Sequence, residues 1–260
     1  MALNNEIGSF AWFCLMTHSV EKANAFYRDA LGWTLSDYEI PGMGKSTIYA
    51  VGESQFASPV PLEGDTKQLP SHWISYIAVA DVDASCAQVE TLGGKICSPP
   101  FDMPTIGRTA VVTDPVGAAF HLYTPERKDQ PVNVIGNAPG QMCWVELMVE
   151  DTQAVIPFYR EIFGWTIERA PMEQVEYHSV QVGEDKVAGI MKRPADVPAM
   201  PPTWMPYIAV SNLKDANAKA QEHGAKLLME RMEIPQTGVF SLIQDPSGAH
   251  TYLFEWQAQA

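Results

Sequence analysis

Between Trp12 and Thr17 apolar residues alternate, with Phe13 and Leu15 on one side of an extended segment and Trp12, Cys14 and Met16 on the other. That is the period of a β-strand. The spacing then lengthens to three and four, placing Ala23, Phe26, Tyr27, Ala30 and Leu31 on one face of a predicted helix, with Ser19 as its N-cap and Gly32 as its left-handed stop. Much later the same pattern returns: Val145, Leu147 and Val149 alternate, Asp151 takes the cap position and Gly164 the stop. Pro157 falls six positions into that second helix and is expected to loosen or kink its first turns. β-type runs follow each helix, at "STIYAV" and "FASPV" in one case and at "HSVQV" and "VAGIM" in the other, ahead of proline-rich connections. The stretch "YIAVADVDASCAQVETLGGKI" then reads as a strand, a helix opening near Asp83 and a glycine stop, and "GRTAVV" and "AAFHLY" as further strands. Between the last two, "DPVG", like "DPSG" at Asp245, sets Pro and Gly where a type I turn accepts them.

The recurrence is literal. "FYRDALGW" at Phe26 returns as "FYREIFGW" at Phe158, 132 residues on. "WISYIAVADVD" at Trp73 and "WMPYIAVSNLK" at Trp204 lie 131 apart, as do "TLGGK" and "EHGAK", and "TDPVGAAFHLY" and "QDPSGAHTYLF". A displacement held over most of the chain marks two homologous halves, 1–130 and 131–260, joined through the polar, Gly- and Pro-containing stretch 126–140. Each half parses as two β-α-β-β-β units. The expected fold is α+β: four such units forming two domains, with helices on one face of a curved, mixed sheet.

Composition narrows the function. Of the 260 residues 46% are hydrophobic and 18% charged, as in a globular protein, and halves of this length can each enclose a core. The net charge of −14, without a Lys/Arg cluster, makes nucleic acid an unsuited partner. The N-terminal segment has no basic n-region and "AWFCLM" is too short to span a bilayer, so a cytoplasmic protein without a membrane partner is expected. Cys14, Cys86, Cys97 and Cys143 have no C-x-x-C spacing, which favours free thiols over disulfides or structural zinc.

With "FYRDALGW", "YIAV" ahead of a second helix and a D-P-x-G turn before the last strand, the chain resembles the vicinal oxygen chelate superfamily. That group includes glyoxalase I, extradiol dioxygenases, methylmalonyl-CoA epimerase, and fosfomycin and bleomycin resistance proteins. The nearer resemblance, through "CWVEL" at Cys143 and the "FYREIFGW" that follows, is to tandem two-domain glyoxalase-like proteins. It implies that paired units curl each sheet around a cleft, with metal ligands on the first, fifth and last strands. It also implies a self-contained monomer, since one chain supplies the two domains that single-domain relatives obtain by dimerising; a homodimer is left open. The fold itself does not choose among lyase, oxygenase, epimerase and binding protein.

Strand alternation marks the cleft faces. If Phe13, Leu15, Ile77, Val79, Phe120 and Leu122 pack under the helices, then Trp12, Cys14, Tyr76, His121 and Tyr123 line the first cleft. Trp144, Glu146, Tyr207, Tyr252 and Phe254 line the second. Where the resemblance implies ligands, these positions hold Trp12, Tyr76 and His121, and Trp144, Tyr207 and Tyr252; indole cannot ligate a metal and neutral phenol does so poorly. No metal or other cofactor is therefore expected, and His121 is the one weak candidate for a divalent ion. Glu146 among aromatic rings suits a general acid or base, or a partner for a cation, with Tyr207 and Tyr252 beside it; a structural hydrogen bond to either phenol is the plain alternative. Cys14 next to His121 could form a thiolate pair, against the commoner buried inert thiol. Arg108 could hold an anionic ligand, against the commoner salt bridge. The expected activity is binding of a small organic molecule, with metal-independent lyase, isomerase or hydrolase chemistry. The alternatives are a sequestering, resistance-type binder, and an atypical metal-dependent glyoxalase or dioxygenase built on His121.

Overall fold

The computed structural model describes residues 7–127, 134–172, 175–195, 197 and 200–257. The proposed division at 130/131 and the middle of the linker lie outside these residues. The first half runs β1 (Phe10–Thr17), α1 (Val20–Leu31), β2 (Thr34–Ile40), β3 (Gly44–Val51), β4 (Ser54–Pro61), β5 (His72–Ala78), α2 (Val82–Thr91), β6 (Lys95–Met103), β7 (Gly107–Thr113) and β8 (Ala119–Pro125). The second runs β9 (Met142–Val149), α3 (Ile156–Phe163), β10 (Thr166–Arg169), β11 (Tyr177–Val182), β12 (Asp185–Lys192), β13 (Trp204–Ala209), α4 (Leu213–Glu222), β14 (Lys226–Ile234), β15 (Gly238–Gln244) and β16 (His250–Trp256). This is the four-unit α+β plan. None of the described helices is long and apolar enough to cross a membrane.

The helix ends follow from local chemistry. Ser19 Oγ accepts the backbone N–H of Lys22, and Gly32 closes α1 at φ 72°. α2 opens at Asp81, whose carboxylate accepts from Ala84 N at 3.0 Å, two residues ahead of the expected Asp83. Pro157 does not kink a helix. Asp151 caps a single 3-10 turn, Thr152–Ala154, and the α-helix starts afresh at Ile156, so the proline occupies its first turn, where no intrahelical N–H bond is lost.

Each half contributes one eight-stranded sheet, ordered β2-β3-β4-β1-β5-β8-β7-β6 and β10-β11-β12-β9-β13-β16-β15-β14. β1 runs parallel to β4 and antiparallel to β5, and β5 parallel to β8; β9, β12, β13 and β16 repeat this. The aliphatic faces of both sheets and the helices merge into a single core that includes Phe13, Leu15, Ile77, Phe120, Val145, Leu147 and Leu253. Two smaller clusters sit on the opposite sheet faces, one around Cys14 and Tyr76, the other around Tyr207, Phe240, Tyr252 and Phe254.

The halves meet through reciprocal contacts that the repeated letters supply. Tyr27 of "FYRDALGW" donates to Asp245 of "DPSG" at 2.9 Å, and Tyr159 of "FYREIFGW" donates to Asp114 of "DPVG" at 3.0 Å. Each aspartate also receives its own turn's N–H groups, from Val116 and Ala118 or from Ser247 and Ala249. Trp33 Nε1 donates to Gly140 O at 2.8 Å, and Trp165 Nε1 to Gly8 O at 2.9 Å. The rings of Phe10, Trp165, Trp204 and Tyr159 pack together across this seam.

Candidate functional site

Alternation on β9 puts Val145 and Leu147 into the common core and turns Glu146 to the other face, between its cross-strand neighbours Gly189 on β12 and Met205 on β13. Glu146 is buried, 8% exposed. Tyr207 donates its hydroxyl to Oε1 at 3.0 Å, and the Tyr177 phenol lies near the same carboxylate. Trp144 Nε1 in turn donates to Tyr177 Oη at 2.9 Å. Tyr252 stacks on Tyr207 with centroids 4.2 Å apart, and Phe240 and Phe254 close the aromatic wall.

The low polarity sets the electrostatics. Burial pushes the Glu146 carboxyl up to about 7, against the neighbouring phenols of Tyr207 and Tyr177 that pull it down. Burial and the nearby carboxylate push Tyr177 and Tyr207 well above the ordinary phenol value, so both remain hydroxyl donors. Tyr252 is raised for the same two reasons. A cavity of ≈40 Å³ opens against Glu146, lined also by Tyr252, Met148, Met205 and Arg193.

Tyr177 and Gly189 have no place in the sequence-derived site. A Cβ on Gly189 would lie 1.9 Å from Tyr177 Oη, so the absence of a side chain there is what admits the phenol to Glu146. A lone glycine inside "VAGIM" was the available signal, since glycine within a strand marks a close approach.

In the first cleft the partners differ. Cys14 faces Ser58 across β1 and β4, the positions matching Glu146 and Gly189. Ser58 Oγ accepts from Trp12 Nε1 at 3.1 Å and lies 3.6 Å from Cys14 Sγ. His121 is not paired with Cys14. Its Nδ1 lies 3.1 Å from Thr109 Oγ1, whose proton goes to Leu122 O, so Nδ1 is the protonated nitrogen. Tyr76 stacks on the imidazole at 3.9 Å. Burial pushes His121 down to about 3 and the Cys14 thiol up, which leaves both neutral and favours the buried inert thiol over the thiolate pair. The Tyr38 hydroxyl on β2 meets Thr105 at 2.7 Å, bridging the sheet's two ends; the matching positions 170 and 236 hold alanine and glutamine.

Arg108 lies outside the cleft, clamped by Asp83 and Asp102. His18 bonds the carbonyl of Leu69 and His72 that of Pro70, and His178 is buried beside Thr152 and Glu176. The metal that the resemblance implies does not fit the residues present. Trp12, Tyr76 and His121, or Trp144, Tyr207 and Tyr252, offer at most one strong ligand, and Glu146 is occupied by phenols. Among the described residues no three His, Cys, Asp or Glu side chains converge to hold an ion.

The geometry agrees with what known proteins resemble. The description "Glyoxalase/Bleomycin resistance protein/Dioxygenase superfamily" matches residues 9–122 and again 141–251. CFP32 of Mycobacterium tuberculosis, which carries a glyoxylase name, is 34% identical over 248 residues, 93% of this chain and 92% of its own. The anthracycline biosynthesis protein DnrV of Streptomyces peucetius is 30% identical over 256 residues, 93% and 91% respectively. In fold, the Mn(II)-bound glyoxalase of Novosphingobium aromaticivorans aligns with a TM-score of 0.67 at 14% identity, covering 96% of this chain and 82% of that one. The 2,3-dioxygenase LapB of Pseudomonas sp. KL28 aligns with 0.63 at 14% identity, covering 98% and 94%. The chain therefore belongs to the glyoxalase/bleomycin resistance/dioxygenase superfamily, with the superfamily's domain present twice.

Proposed function

We infer that the second cleft binds a small organic molecule and that Glu146 exchanges a proton with it without a metal. The observation that carries this reading is a carboxyl buried among rings, held by the neutral Tyr207 phenol and balanced near neutral pH, where a group both takes up and gives back protons efficiently. Tyr252 lines the same cavity and stays protonated, so its hydroxyl suits an oxygen that gains charge as a neighbouring C–H is deprotonated. Isomerisation and elimination both begin with that step. The glyoxylase name of CFP32 and the biosynthetic role in the name of DnrV are in keeping with small-molecule chemistry.

The test is proton exchange rather than a guessed product. Phenylacetone and other soluble neutral ketones and amino ketones, incubated in D2O with the protein, are followed by NMR for deuterium uptake beside the carbonyl. Enzyme-dependent exchange, reduced at least 100-fold in Glu146→Gln with unchanged circular dichroism, supports the assignment. Exchange at the wild-type rate in that variant removes Glu146 from the chemistry. The first cleft favours a different reading: with His121 and Cys14 both neutral it holds no group that titrates near pH 7, which fits retention of a ligand without turnover.

A further inference from the structure

We propose that the second cleft selects organic cations, a protonated amine seating its N–H groups on Glu146 while its carbon frame packs against Tyr252, Met148 and Met205. This rests on the ligand-binding reading above and deepens it. The hydrogen bonds fixed around the carboxylate point inward: Trp144 donates to Tyr177, and Tyr207 donates to Glu146. The remaining lone pairs of the ionised carboxylate can only accept, so the complementary ligand atom must be a donor. Neutral phenols solvate a buried carboxylate but do not neutralise it, and a cation does both.

The groups facing Glu146 come from each surrounding element: Tyr177 of β11, Tyr207 of β13, Tyr252 of β16, and Arg193 just after β12. Arg193 is the only base in this set, and it is already taken up by Glu150 and by the carbonyls of Pro194 and Val197. The cavity beside Glu146, walled by Tyr252, Met148 and Met205, accommodates a head the size of an ammonium group. A phenol face beside the head adds a cation–π contact. The chain's net charge of −14 raises the local concentration of cations in the same direction. In the first half Cys14 replaces the acid, so the selectivity belongs to one cleft.

Two probes of one shape decide the matter: 2-phenylethylammonium and its neutral isostere 2-phenylethanol, titrated into the whole protein by NMR. At pH 8 the ammonium ion should bind at least tenfold more tightly. Its affinity should fall about tenfold by pH 6 as Glu146 takes up its proton, while that of the alcohol stays level. Glu146→Gln should abolish the preference, with unchanged circular dichroism showing the fold intact. Equal binding of both probes overturns cation selection and leaves the binding site standing. Preference for phenylacetate overturns it too and assigns recognition to Arg193. Binding of neither probe also overturns it, and the deuterium-exchange experiment then decides separately whether the cleft is a site.

Discussion

At the scale of single residues, Glu146 carries an energetic cost that can be measured without knowing any ligand. Its carboxyl titrates higher in the folded protein, at about 7, than in the unfolded chain, at about 4.3. The folded state therefore holds the extra proton between those values, and stability falls as pH rises through that window. Glu146→Gln removes the cost. The variant is expected to be more stable than wild type at pH 8, by up to ~3 kcal/mol, with the difference vanishing below pH 4; urea titrations at the two pH values check this. Gly189→Ala acts through Tyr177. The added methyl expels the phenol, Glu146 loses a polar neighbour that favours its ionised form, and its carboxyl should titrate above 7; an unchanged 13C titration of Glu146 would refute the packing argument. The acid was legible in the sequence because Val145 and Leu147 fix its parity. Tyr177 was not, since its strand is placed opposite Glu146 only by pairing between distant segments.

At the scale of elements, the buried strands were readable and the rims were not. β1, β5, β8 and β9 alternate between the common core and the cleft face, so their register was set before any pairing was known. β2 and β10 are edge strands with mostly exposed side chains, and no apolar alternation announces them. Pro157 misled because continuous spacing hid a restart of the helix. With the proline in the first turn of α3, Pro157→Ala should change stability by less than ~1 kcal/mol, whereas relief of a mid-helix kink would stabilise by ~3 kcal/mol. A melting-temperature comparison separates the two.

At the scale of the molecule, the repeated phrases are the fastening between the halves. Each "FYR" tyrosine reaches the aspartate of the opposite D-P-x-G turn, so the most legible part of the sequence describes assembly and the less legible clefts describe chemistry. Tyr27→Phe and Tyr159→Phe should each cost ~1–3 kcal/mol by stranding a buried carboxyl, read from urea unfolding. Segments 1–130 and 131–260, produced as separate polypeptides, should recover a 1:1 complex on mixing, seen by size-exclusion chromatography.

That fastening has no preference for its own chain. Tyr27 would close as readily on the Asp245 of a neighbouring molecule, and what favours closure within one chain is the high effective concentration that a short tether imposes. Clipping residues from 126–140 until the halves cannot fold back would turn one molecule into exchanged pairs and longer chains, built from unchanged contacts.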